Sequence, residues 1–335
     1  MSPDARKWTV RILSASIGIG ILALLIFFAG PRRLWATFMQ ASPAWLAAAF
    51  LVYAGSWIFR TWRLRLFTSL GWLTAFRLHI SGHAINALMP TKLGDAALVG
   101  YLKLHKIPLG RALAVVVQIR VLDAMAVALI AVSALVLFAG GETPAWIITS
   151  IIICAAFALV PVGLVVLDRG KKLPGALARW EERRKNKFAR MVVQKLKEAC
   201  AAYYQIVSDR RLLLPTILFS LILWLIDCLT ACTVAYALGA DVPLAAVILA
   251  VMIGNVSKSA PATPGSFGVY EGIFAAVLVL FNVPFEVALA IGILDHLLKK
   301  LFNLALGLPA TASIGMGIRE ISAITKTNGM PLHRP

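Results

Sequence analysis

NVSKSAPATPGSFGVYE, running from Asn255 to Glu271, lies between two apolar runs and places Pro261, Pro264 and Gly265 within five positions. The hydrophobicity on either side puts these helix breakers at membrane depth. Irregular backbone survives there only where protein or a water-filled cavity satisfies its polar groups. The stretch therefore reads as a broken or re-entrant helix that lines a site.

The rest of the chain supports a membrane setting. Of 335 residues, 60% are hydrophobic and 14% charged, and the mean hydropathy is +0.84. This composition excludes a soluble globular domain. Several apolar runs reach the roughly 20 residues that cross a bilayer as a helix, and the turn signals between them are short, which favours a helical bundle over a barrel. The expected fold is an all-α polytopic membrane bundle of about six spanning helices plus two broken or re-entrant helix pairs, forming one domain over residues 1–335.

Charge placement gives the orientation. The formal net charge is +18, and residues 168–211 hold thirteen Lys/Arg against five Asp/Glu, while the short loop 140–144 has no Lys or Arg. That asymmetry follows the positive-inside rule and predicts a basic surface at anionic headgroups, not a nucleic-acid groove. Residues 10–29 read as an uncleaved first helix beside Arg6, Lys7 and Arg11, and both termini are expected in the cytoplasm of a bacterial cell, at its inner membrane. Residues 31–43 read as an external link. Helix 44–62 returns inward and ends in RTWRLR, where Arg60, Arg63 and Arg65 with Trp57 and Trp62 suggest an interface anchor.

Residues 71–111 are too polar to span simply and predict a pair of half-helices broken at 89–94. Crossings over 112–139 and 145–167 follow. The basic linker 168–211 contains an amphipathic pattern, Phe188, Val192, Leu196, Tyr203 and Ile206, that predicts a helix lying on the cytoplasmic leaflet. The remaining helices are expected at 212–238, 244–281 (with the break) and 285–313. Cys154, Cys200, Cys228 and Cys232 match no zinc or redox spacing and read as small core residues.

The two broken regions resemble each other. Asn86, Pro90 and Gly94, then Pro108 and Ala112-Leu113-Ala114, align with Asn255, Pro261 and Gly265, then Pro284 and Ala288-Leu289-Ala290; Asp123 and Asp295 follow at nearly equal distances. The charge-derived topology has the first broken region entering from the cytoplasm and the second from outside. Together these predict an inverted-topology repeat with a site at the repeat interface.

Each break should start a new half-helix whose N-terminal N–H groups favour a phosphate or carboxylate, near Lys92 in the first and near Lys258, Gly265 and Ser266 in the second. Among the deep ionisable residues, Arg120 and Asp123 share a helix face, as do Asp295 and Lys299, and each pair can neutralise itself. Lys258 has no local partner, which makes it the leading candidate to contact an anionic substrate. Asn86, Asp95, Asn255, Arg120 and Asp123 would shape a polar path, and Glu271 or Asp295 could carry protons. His79 and His83 share a face without a carboxylate to complete a metal site. No H-E-x-x-H, P-loop or G-x-S-x-G motif is present, so neither a cofactor nor an enzyme is expected.

Asn86-x-x-x-Pro90-x-x-x-Gly94-Asp95, Arg120-x-x-Asp123 and the run from Pro264 to Glu271 resemble the family of lysylphosphatidylglycerol synthase transmembrane regions, or flippase-like membrane proteins. The resemblance covers roughly residues 57–313. It implies movement of an anionic lipid or polyprenyl phosphate between leaflets, with a hopanoid- or glycolipid-associated role possible within the family. The chain ends about twenty residues after its last expected helix, so the soluble transferase of two-domain members, and with it lysyl-lipid synthesis, is not expected. Two other classes stay open: a membrane polyprenyl-phosphate or glycolipid transferase, and a non-catalytic partner that recruits a lipid-modifying enzyme through residues 185–206.

Overall fold

The computed structural model describes residues 3–89, 93–138, 144–168, 175–176, 178–180, 187–258 and 263–314, and these contain helices without any strand. In chain order the helices are α1 (Pro3–Ala29), α2 (Pro31–Met39), α3 (Pro43–Thr68), α4 (Trp72–Leu88), α5 (Leu93–Leu104), α6 (Leu109–Phe138), α7 (Ala145–Asp168), α8 (Lys187–Ser208), α9 (Arg210–Ala237), α10 (Leu244–Ser257), α11 (Val269–Val279) and α12 (Phe285–Ser313). A short 3-10 turn, Pro264–Ser266, precedes α11.

Residues 31–43 are not a simple link. Gly30 and the helix-starting Pro31 bend the chain by 86°, because proline is pre-set for the first helical position and lacks the N–H that would continue α1. The resulting α2 buries Leu34 and Thr37 and packs against α12. Helix α3 runs past Trp62 to Thr68 and stops where Ser69, at φ 56, donates its N–H to Arg65 O. RTWRLR is thus inside a helix, and its side chains are divided between core and surface.

Both broken regions are helical hairpins. In the first, α4 folds against α5; in the second, α10 folds against α11. Each hairpin also lies on the long helix that follows the other one: α4 packs on α12, and α10 packs on α6. Helices α3 and α9, which precede the two hairpins, lie together. The breaks meet between these layers, where Gly265, at φ 60, approaches Ala87 O so closely that a Cβ would lie 2.6 Å from it.

Helix α8 does not rest on a leaflet alone. It packs against α6, with Val193 and Ile206 buried while Leu196 is exposed. The inward face is therefore rotated from the expected stripe; the side chain of Phe188 lies outside the described residues.

Among the described residues, two helices are long and apolar enough to cross a membrane alone, 109–136 in α6 and 210–237 in α9, and the bent pair α1/α2 makes a third if counted as one span. Helices α3 and α12 reach 26 and 29 residues, but α3 carries three arginines in its last third and α12 carries charges in its middle. Phe27, Leu51 and Val136 are 71%, 70% and 78% exposed, which suits contact with lipid and would be a liability in water. The protein is an all-helical, membrane-embedded bundle.

Close backbone contact inside the first hairpin depends on two glycines. A Cβ on Gly94 would overlap Gly82 O, and the Asn86 side chain would be 2.7 Å away. Gly94→Ala should lower stability by about 3 kcal/mol through overpacking, read as a fall in the thermal midpoint of the detergent-solubilised protein. Gly55→Ala, where a Cβ meets nothing within 4 Å, should be neutral or raise it slightly.

Candidate functional site between the two breaks

Charges in the bundle interior are arranged in two networks. The first is centred on α6. Arg63, fully buried in α3, donates from Nη1 to Asp123 Oδ1 at 2.6 Å and to Ser220 Oγ on α9 at 2.8 Å. Trp224 Nε1 donates to the same carboxylate oxygen at 3.2 Å. Arg120 reaches Asp123 Oδ2 at only 3.6 Å, because its guanidinium is committed to Asp95 on α5. Its Nε donates to Asp95 Oδ2 at 2.8 Å, and Nη2 donates to Oδ1. Asn86 closes the hairpin: its amide donates to Asp95 Oδ1 at 3.1 Å, and its carbonyl oxygen accepts from Gly94 N–H at 2.7 Å.

The second network is centred on α12. Arg60 Nη2 lies 3.1 Å from both oxygens of Asp227 on α9. Lys299 donates to the backbone oxygen of Asp227 at 3.1 Å and sits 2.8 and 3.0 Å from the two oxygens of Asp295. Tyr270 on α11 donates its hydroxyl to Asp295 Oδ2 at 2.8 Å. Glu271 accepts from Gly268 N–H at 2.7 Å, and its other oxygen lies 2.6 Å from His296 Nδ1.

Several sequence expectations change against this geometry. Arg60 and Arg63 are not an interface anchor, since both are buried in ion pairs; of that group only Arg65 and Trp62 are exposed. Arg120 and Asp123 do not chiefly neutralise each other, whereas Asp295 and Lys299 do pair. Arg63, Ser220 and Trp224 were missed as a unit, although Tyr53, Trp57, Arg60, Leu64 and Phe67 recur on one face of α3, a sign that the arginines there turn inward.

The half-helix N-termini are also partly occupied. At α5 the Asn86 side chain takes the Gly94 N–H; at α11 the Glu271 carboxylate takes the Gly268 N–H, and its charge opposes a second anion at that spot. Gly265 and Ser266 form the left-handed turn before α11, with φ of 60 and 64. Asn255 turns back along its own helix to donate to Val251 O at 2.7 Å. Lys92 lies outside the described residues. His79 and His83 join an aromatic cluster with Trp57, their rings 5.6 and 5.0 Å from it. Among the described residues no group of three or more His, Cys, Asp or Glu is placed to hold a metal ion.

What the networks leave unpaired lies together. Lys258, the C-cap of α10, places Nζ 3.7 Å above the Tyr270 ring and makes no ion pair among the described residues. The face of Tyr270 also lies 4.6 Å from the His296 ring, which in turn is 5.1 Å from Phe267; Lys300 Nζ is 6.0 Å over Phe267, likewise without an ion pair. Two lysines thus flank one buried imidazole across two aromatic rings. A ring face offsets part of an ammonium's lost hydration but does not replace a counter-ion, so this end of the seam is suited to an anion.

Comparison with known proteins places this geometry in context. The family model described as lysylphosphatidylglycerol synthase TM region matches residues 15–307. The chain is 25% identical to the glycosyltransferase AglD of Haloferax volcanii, over 89% of this chain and 53% of that protein. It is 23% identical to a UPF0104 membrane protein of Methanothermobacter thermautotrophicus, over 91% of this chain and 95% of that protein. It therefore spans about half the length of the first relative and nearly all of the second.

The Arg63–Asp123 contact gives a direct test of the first network. Arg63→Ala strands a buried carboxylate and should destabilise the protein by about 3–5 kcal/mol, while Arg65→Ala, at an exposed position, should have little effect. Arg63→Leu with Asp123→Leu should recover much of the loss, because an apolar pair strands no charge. Thermal unfolding of the three variants in detergent provides the comparison.

Proposed function

Since the chain belongs to the lysylphosphatidylglycerol synthase TM region family, we propose that it moves an anionic, phosphate-bearing lipid between membrane leaflets, as a flippase or lipid-carrier transporter. The observation that carries this reading is Lys258 above Tyr270, joined by Lys300, both without an ion pair among the described residues, whose other interior charges have partners. A phosphate headgroup would supply the missing counter-charge while its acyl chains remain in lipid. Lipids are thus the proposed partners, in a bacterial inner membrane with both chain ends in the cytoplasm. The protein acts without catalysis of its own.

The reading extends to architecture. We take α3 to α6 and α9 to α12 as two halves of an inverted repeat within about six spans. The supporting geometry is a shared register: Asp95 and Glu271 are each third in their half-helix, and each pairs with a side chain 25 residues later, Arg120 and His296. This register differs from the Gly94-to-Gly265 alignment of the sequence. It also sets Asp123 against Lys299; Asp123 pairs with Arg63 on α3, and Lys299 donates to the backbone oxygen of Asp227 on α9. Such repeats place transporter sites at their interface.

A second reading, a membrane glycolipid transferase, is favoured by one observation, the similarity to a relative named a glycosyltransferase, AglD, of which this chain spans about half.

The test is leaflet exchange in liposomes carrying labelled phosphatidylglycerol or a polyprenyl phosphate. Wild type should exchange at least one of them, and Lys258→Ala should slow it about tenfold or more, as expected for loss of a charge-assisted contact. Lys195→Ala, on the outer face of α8, should not. Absence of exchange by folded wild type would overturn the reading. Formation of glycolipid by the purified chain from polyprenyl phosphate and a sugar donor would favour the transferase.

A further inference from the structure

His296 is buried, and its two ring nitrogens have different surroundings. Nδ1 is held by Glu271 at 2.6 Å, while Nε2 has no hydrogen-bond partner. An unpartnered buried nitrogen is uncommon in folded proteins and calls for an explanation. Here the explanation lies beside it: the same ring contacts Tyr270 and Phe267, the two aromatics over which Lys258 and Lys300 sit.

We propose that His296 is the third ligand of the anion site and that it couples the anion to a proton, Nε2 taking up one H⁺ from water as a phosphate enters. No bond in the phosphate breaks; the proton goes onto Nε2, and the imidazolium then donates to a phosphate oxygen. This inference rests on the phosphate-site reading above and adds to it the co-transported ion. It also relocates the expected proton carrier, because Glu271 is tied to Gly268 and His296, and Asp295 to Lys299 and Tyr270.

The charges around the ring favour this order of events. Lys258 from α10, and Lys299 and Lys300 on its own helix, oppose a charged imidazole while the site holds no anion. Of the helices packed against α12, α4 carries His79 and His83, α3 carries Arg60 and Tyr53, α9 carries Asp227, and α11 carries Tyr270 and Glu271. Asp295 is the adjacent carboxylate on α12. Arg32 and Arg33 on α2 are exposed, and the described side chains of α1 include no titratable group. Of the carboxylates, Asp227 and Asp295 are already neutralised by Arg60 and Lys299. Entry of a phosphate offsets the lysine charges that oppose a proton on the ring, and Glu271 on Nδ1 is placed to stabilise the imidazolium that forms.

Titration calorimetry of the full chain in detergent, repeated in buffers of different ionisation enthalpy, reads proton uptake directly. Dihexanoyl phosphatidylglycerol is the primary probe, since a phosphodiester has no group of its own that titrates near neutrality. Farnesyl phosphate and inorganic phosphate distinguish a lipid monoester and a free anion. Wild type should take up close to one proton per diester bound, and its affinity should fall by up to about tenfold per pH unit as pH rises. His296→Gln should bind more weakly, with uptake near zero and a flat pH profile. Glu271→Gln, which keeps an acceptor for Gly268, should also reduce uptake, and guards against a folding defect in the first variant. Binding of any of the three probes without uptake in wild type, or with uptake unchanged in His296→Gln, overturns the proton role and leaves the phosphate site standing. Failure of all three probes to bind folded wild type removes the phosphate site and this proposal with it.

Discussion

A charge in the interior of a membrane protein must be neutralised where it stands, and the two arginines of α3 set this requirement for the whole bundle. Arg63 turns to Asp123 on α6, while Arg60, one turn earlier, turns to Asp227 on α9. A single helix thereby ties the first hairpin's long helix to the helix that leads into the second hairpin. Helices in lipid gain little from hiding apolar surface against one another, so packing and interior polar contacts must hold their arrangement. Removing either partner leaves the other as an uncompensated charge, which makes these contacts specify one arrangement of α3, α6 and α9 more strongly than apolar packing does.

Small residues let these polar contacts form. At Gly254 a Cβ would lie 2.7 Å from the Tyr270 ring, so the glycine admits that ring flat against α10. Lys258, one turn further along the same helix, then lies over the ring face. The hydroxyl at the far end of the ring reaches Asp295, so one tyrosine links the unpaired lysine to the paired network. The glycines of the first hairpin act similarly, bringing α4 and α5 close enough for Asn86 to bridge them. In both hairpins the backbone approach precedes the electrostatics: without it Asp95 and Tyr270 could not reach α6 and α12.

The positions of the breaks were legible in the sequence because Pro and Gly act locally. The break expected at 89–94 falls between the end of α4 at Leu88 and the start of α5 at Leu93, Pro264 and Gly265 lie between α10 and α11, and α12 begins at Phe285 and ends at Ser313, as its apolar run and Pro284 predicted. Lys258 was also legible as a cation without a nearby carboxylate in sequence. The ion pairs were not, because their partners are separated by 60 residues for Arg63–Asp123 and 167 for Arg60–Asp227. Charge counting then works against the reader: arginines followed by a loop look like a cytoplasmic anchor, and only the packing of α3 on α9 reveals that they face inward. The same limit explains α8, whose apolar stripe showed that one face is buried but not that α6 covers it.

The two hairpins and the long helices that follow them, alike in outline, differ in charge balance. Among the described residues, the interior around α6 holds two cations, Arg63 and Arg120, against two carboxylates, Asp95 and Asp123. Around α12, Arg60, Lys258, Lys299 and Lys300 stand against Asp227, Glu271 and Asp295. One half is balanced and the other carries an excess positive charge, which falls on the residues between the breaks where Gly265 meets the end of α4. A balanced half can remain fixed whether or not ligand is present. The cation-rich half is the one whose net charge an anion would offset, and an anion there would also remove the repulsion that the lysines exert on a proton at His296 Nε2.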